Sequence, residues 1–343
     1  MVTRPITPRG GMACLVAAYM LGAAMNPADA ADSAVIFMYH RFGEDTFPSN
    51  NIPLDQFEAH VQELKSAPYK VMPVPAIISA LREGRPLPDR TIGITVDGAY
   101  RSVYAEAFPR FKRAGLPFTL FVATDSLDRG VSNIMSWDNL REMQRSGVTV
   151  GGMTSSHPHM TDLSMAENRS ELARARARFE AELGRSPELF AYPYGEYSLA
   201  VRELIVQAGF SAAFGQHSGV AYRRADFYAI PRFALNESYA SIERFRLAAN
   251  ALPLPAQHVT PADPLLRDNP PAFGFSVDPD IGDLNQIACF ASQQGRTLIE
   301  RLGSDRIEVR LNQPLPLGRS RINCTMPGPD NRWRWLGFQF YAR

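Results

Sequence analysis

Residues Thr91 to Tyr104 read TIGITVDGAYRSVY. Ile92, Ile94 and Val96 are β-branched or apolar at alternate positions, which predicts a strand. Gly98 and Ala99 stop it, so the carboxylate of Asp97 falls where the chain turns into a helix starting near Tyr100. Strand C-termini are where α/β barrels keep their chemistry. An aspartate at such a turn can also simply cap the following helix. Outward from this stretch, strands alternate with amphipathic helices. Ala34 to Tyr39 reads as a strand ending at His40, and Leu54 to Ser66 as a helix with Phe57, Val61 and Leu64 on one side. Pro117 to Thr124 and Val148 to Met153 read as further strands, separated by the helix Trp137 to Ser146. Repeated βα units imply a parallel sheet, and the fold class predicted is α/β, a distorted (β/α) barrel. Asp226 to Arg232 is expected to close it.

The same stretch resembles the first motif of the polysaccharide deacetylases, carbohydrate esterases whose usual form there is T-F-D-D-G-Y. Met153-Thr154-Ser155-Ser156-His157, with Pro158 after it, resembles the family's H-T-x-x-H motif, and Phe190 to Gly195 has the look of a third. The likeness runs from about Val35 to Phe233. It implies that Asp97 is the general base and His157 a metal ligand. It also implies that Tyr192, Pro193 and Tyr194 shape the acetyl pocket and that His40 lines the cleft, although a lone histidine at a strand end is as readily structural. Two ligand positions depart from the pattern: Gly98 stands where the family has a metal-binding aspartate, and Met153 where it has the first histidine. One imidazole is a poor grip for Zn²⁺, since catalytic sites normally supply three protein donors, and a thioether is a soft neutral substitute. The arginine that opens the third motif is Ala191 here. Arg232 is expected to replace it by pairing with Asp97. For the family's late catalytic histidine, His217 is the nearby candidate. His159, two residues beyond His157, offers a second ring that could join His157 and Asp97 at a metal.

The chain opens with Arg4 and Arg9, then an apolar run from Met12 to Met25 and small residues at 28–30. This reads as a secretory signal peptide, too short to span a bilayer, and implies export to the periplasm or the extracellular space. The predicted organisation is a signal peptide over 1–30, a barrel over 31–250, a Pro-rich linker over 251–271 and a small β-sandwich over 272–343. In the last of these, Cys289 and Cys324 suggest a disulfide, although sequence leaves their separation open. Trp333, Trp335, Phe338, Phe340 and Tyr341 read as half core and half cover, with a sugar-stacking platform as the alternative.

The chain has 36 basic and 35 acidic side chains; without Arg4, Arg9 and Asp29 the two counts are equal at 34. That balance gives no reason to expect nucleic acid as a partner, and a neutral glycan fits it. No P-loop, zincin, nucleophile-elbow or dinucleotide motif is present. Two functions follow. The chain binds an acetylated polysaccharide or cell-envelope glycan as a pseudoenzyme, with no cofactor. Alternatively it is an active deacetylase with Asp97 as base, zinc or another divalent metal, or a metal-free site.

Overall fold

The computed structural model describes residues 1–2, 30–66 and 68–343. The segment read as a signal peptide lies, but for its first two residues and Ala30, outside the described residues. Six strands, β1 (Ser33–Tyr39), β2 (Thr91–Asp97), β3 (Thr119–Val122), β4 (Thr149–Gly152), β5 (Leu189–Ala191) and β6 (Ala212–Phe214), run parallel and pair in that order. The βα alternation read from the sequence is therefore the observed architecture. All seven residues of β2 are buried, as a strand covered on both faces must be.

The two faces bury different things. Ile92, Ile94 and Val96 pack outward with Phe57, Val61, Phe111 and Leu140 from the surrounding helices. The interior face holds Gly93, where a Cβ would come within 3.1 Å of Val74 and Ile77 of the helix Val74–Glu83. Ile36, Phe121, Leu189 and Phe214 complete that inner core. Small residues on one face of β2 thus let a helix plug the barrel while the branched ones hold the outer helices.

Closure takes an irregular form. The stretch expected to be the last strand, 226–232, is irregular apart from a bridge at Ile230. Ile230 exchanges backbone hydrogen bonds with Ala213 and Gly215 at 2.9 Å, and Phe233–Ala234 then pairs with β1, so the segment joins the two ends of the sheet. Val220–Tyr222 adds an antiparallel strand beside β1. The helix after β2 contains a π-helical turn over Val103–Ala107 before Phe108–Ala114. Pro109 explains it: the ring has no N–H to continue the i→i−4 ladder.

The C-terminal residues form two facing sheets. One holds β7 (Gly318–Pro327), β8 (Trp333–Ala342), 252–253, 288–291 and 295–296; the other holds 256–260, 273–277, 298–302 and 306–310. Phe273, Phe275 and Ile307 meet Ile322, Met326 and Phe340 in a shared core. Strands at 252–253 and 256–260 lie inside the stretch read as a linker, where prolines suggested irregular chain. They fit because edge strands tolerate proline. Cys289 sits directly opposite Cys324 with Cα atoms 4.0 Å apart, and the two form a disulfide. The sandwich leans on the barrel through Trp335, whose ring meets Phe233 edge-on at 5.3 Å, and through Arg332, paired with Asp89 at 2.9 Å. No helix among the described residues is long and apolar enough to cross a membrane.

Candidate active site

A cavity of about 360 Å³ opens at the C-terminal ends of the parallel strands. Each strand end contributes: His40 after β1, Asp97 and Gly98 from β2, Ala123 after β3, Met153 and His157 after β4, Tyr194 after β5 and Gln216 after β6. The expected rim residues Asp97, His157, His40 and Tyr194 thus share one cavity. Tyr192 and Pro193 do not line it. Tyr192 faces the other way, buried against Tyr197 and Phe190, with its hydroxyl donating to the Tyr228 carbonyl at 3.0 Å. The motif's alternation aims only one of its tyrosines at the cavity.

Arg232 is wholly buried in the barrel interior and Asp97 is 2% exposed. The guanidinium donates from Nη1 to Asp97 Oδ1 at 2.6 Å and from Nη2 to Oδ2 at 2.7 Å. Its Nη1 also reaches Thr95 Oγ1 and its Nε the Gly215 carbonyl, so the polar groups facing it are satisfied. Phe121 and Phe214 lie beside it. A forked pair of this kind fixes the carboxylate plane, and two of the carboxylate's roughly four lone-pair positions remain.

The two altered positions are filled. Gly98 has φ +97°, a left-handed conformation unfavourable to other residues, and a Cβ there would lie 2.5 Å from the Tyr100 ring. Arg41 stacks its guanidinium on that ring at 3.7 Å from the centroid and holds it in place. Met153 is 2% exposed and packs with Phe121 and Ala191. Among the described residues, no three His, Cys, Asp or Glu side chains converge as a metal would need. With one imidazole, a carboxylate already forked by arginine and no room beside Gly98, the donor set does not fit a divalent cation.

Burial lowers two of the histidines at the mouth, His40 and His157. His40 is pushed down to about 4, chiefly by loss of water around it and against the pull of Asp97. His157 is also lowered, again first by burial. Its backbone has φ +62° and that of Tyr194 φ +58°, so two non-glycine residues at the mouth adopt a strained conformation. The Tyr194 ring stands edge-on to His157 at 4.6 Å and flat on His159 at 4.1 Å, separating the two imidazoles. His159 turns away to pair through Nδ1 with Glu196 Oε2 at 2.6 Å, so it does not join Asp97. His217 belongs to a different cavity, at the junction with β8, and is likewise lowered to about 4 by burial.

Sequence reasoning missed Tyr100, which lay in the quoted motif, and Arg319, which had no signal at all. Arg319 comes from β7 of the sandwich, lines the cavity, and pairs with Glu196 at 3.4 Å. Arg129 lines it as well.

Comparison with known proteins agrees with this geometry. Residues 84–213 match the family model described as polysaccharide deacetylase. YxkH of Bacillus subtilis is 25% identical over 198 residues, covering 57% of this chain and 69% of its own. The poly-β-1,6-N-acetyl-D-glucosamine N-deacetylase of Staphylococcus aureus is 23% identical over 234 residues, 60% of this chain and 80% of that one. Among solved structures, the Streptococcus pyogenes deacetylase PplD in complex with acetate superposes with a TM-score of 0.59 at 18% identity, covering 63% of this chain and 98% of PplD. IcaB from Ammonifex degensii gives 0.56 at 24%, covering 64% and 97%. Over residues 84–213 the sequence thus matches the polysaccharide deacetylase family, and the barrel has the half-barrel fold of the solved deacetylases.

Proposed function

We propose that this chain is an exported glycan-binding member of its family, one that engages an acetylated polysaccharide at the barrel mouth without metal-dependent deacetylation. The observation that carries the reading is the filling of the two altered ligand positions: Tyr100 occupies the space beside Gly98, and Met153 is packed into the core. Hydrolysis of an N-acetyl group needs an activated water and a polarised carbonyl. Without a metal the water keeps a pKa near 15.7 instead of about 7, too large a gap for one carboxylate to overcome. The cavity itself is intact, and Tyr194 offers an aromatic face beside it for a sugar ring. Asp97, His40 and Tyr194 then serve as contacts for the acetylated sugar. The relatives' names supply the substrate class, since one of them is named for poly-β-1,6-N-acetyl-D-glucosamine.

A second reading has its own support. Asp97 keeps free lone pairs, and Arg319 brings a cation to the same cavity. A metal-free deacetylase would use Asp97 as base and the guanidinium against the developing oxyanion.

One experiment separates the two. The purified chain is titrated with an N-acetylglucosamine tetramer by calorimetry, and acetate release is followed with and without added Zn²⁺. The expected result is saturable binding, substoichiometric metal and no acetate above the blank. Acetate release that disappears in Asp97→Asn overturns the binding reading. A parallel arm tests the cause: Gly98→Asp with Met153→His should still take up little Zn²⁺, and adding Tyr100→Ala should raise uptake. Stoichiometric zinc in the parent sinks the explanation.

A further inference from the structure

Although 36 basic and 35 acidic side chains nearly balance over the whole chain, they do not balance at the barrel mouth. Strand β7 crosses the mouth with Arg319 and Arg321 two residues apart, on the same face and about 7 Å from one another along the strand. Ser320 between them is buried on the other side. Arg319 enters the cavity that holds Asp97. Arg321 enters a second cavity of about 160 Å³, and Gln216 lines both, so the two are neighbours.

The second cavity is built from both parts of the molecule. The barrel gives Arg244 and Tyr239, and the sandwich gives Arg321, Asn323 and Trp335. Among the described residues, no Asp or Glu lines it. Among the described residues neither Arg321 nor Arg244 has a carboxylate within ion-pair distance. Arg321 is partly covered, and among the described residues its side chain makes one hydrogen bond, from Nε to the Gln339 amide oxygen at 3.3 Å. Burial, and then the charge of Arg319, makes its protonated form harder to keep, the state of a cation short of a counter-charge. Arg244 stacks on Tyr239 at 4.9 Å from the ring centroid and lies 6.0 Å from that of Trp335. The first cavity contains one acid, Asp97, with both oxygens already paired to Arg232.

Two unneutralised guanidiniums beside two aromatic faces are what a sugar ring carrying a carboxylate requires: a flat apolar surface, and planar forks that match the anion's two oxygens. We propose that the glycan is acidic, with an acetylated sugar at the Asp97 cavity and a uronate-type sugar beside it, its carboxylate held by Arg321 and Arg244. This rests on the reading of the barrel mouth as a glycan site. It assigns the sandwich a role as well, because the subsite does not exist without β7 and β8.

The test compares three tetrasaccharides by calorimetry: an N-acetylglucosamine tetramer, an alternating N-acetylglucosamine and glucuronate tetramer, and the neutral tetramer carrying sulfate esters. The alternating oligomer should bind at least about tenfold tighter than the neutral one at low salt, with the advantage shrinking as salt is raised. Arg321→Gln and, separately, Arg244→Gln should remove most of that advantage, weakening the alternating oligomer far more than the neutral one. Arg244 lies on a surface helix, so its variant keeps the test open if Arg321→Gln unfolds. Equal affinity for neutral and acidic oligomers, or a preference untouched in both variants, overturns the inference alone. Sulfated binding as tight as uronate binding overturns the carboxylate assignment. Failure of every oligomer to bind removes the glycan site itself.

Discussion

Asp97 and Arg232 are 135 positions apart and meet inside the barrel at 2.6 and 2.7 Å. Removing one partner of a buried pair leaves a bare charge, which typically costs about 3–5 kcal/mol, whereas replacing both by matched neutral groups costs far less. Arg232→Met is therefore expected to destabilise the chain strongly in urea unfolding, and Asp97→Asn combined with Arg232→Met to recover a large part of the loss. Additive losses would mean that the pair is not coupled. The sequence made Asp97 and His157 legible because they stand in motifs, and it pointed to Arg232. It could not reveal that Tyr100 fills the space next to Gly98, since this depends on where Arg41 steers a ring.

At the level of elements, apolar alternation in β2 was readable. Ser164 with Glu167 closes a capping box at the start of Met165–Leu183, and Gly184 ends that helix at φ +72°. Closure of the barrel was less readable, because 226–232 is held by a few backbone bonds and carries no strand periodicity. In the sandwich, register is what makes Cys289 face Cys324, closing a loop across a sequence separation of 35. A loop of that size predicts that reduction lowers stability by about 2–4 kcal/mol, read as a fall in melting temperature on adding reductant. Cys289→Ser with Cys324→Ser should show the same lower melting point and no response to reductant; a response in that variant would place the effect elsewhere.

The whole molecule keeps neutral histidines in its interior. His60 donates from Nε2 to the Ala240 carbonyl at 2.8 Å, which leaves Nδ1 to accept from the Tyr39 hydroxyl at 3.0 Å. Burial, the largest cause, lowers both His60 and His217 to about 4. The sign follows from linkage. Between pH 6.5 and 4 the unfolded chain binds protons at these rings while the folded chain does not. The stability is complete above about pH 6.5 and is lost as pH falls toward 4, by up to about 3 kcal/mol for each ring. Urea midpoints measured at pH 7.5 and 4.5 should differ accordingly, and a flat profile would contradict the burial of these groups. The same scale governs the mouth, where a strand of the sandwich brings Arg319 and Arg321 to the barrel.

By itself, the sequence determined the α/β class, the β strands at the end of the chain, the placing of Asp97 and His157 at strand ends, and the departure of Gly98 and Met153 from the motifs they resemble. Those facts are local: they depend on periodicity over a few residues and on which side chain stands at a motif position. Tertiary structure alone decided that Tyr100 occupies the space beside Gly98, that Tyr192 turns into the core, and that a nearly neutral chain concentrates arginines at one opening. Each of these depends on contacts between residues far apart in sequence, whose directions are set by packing and which no window of the chain contains.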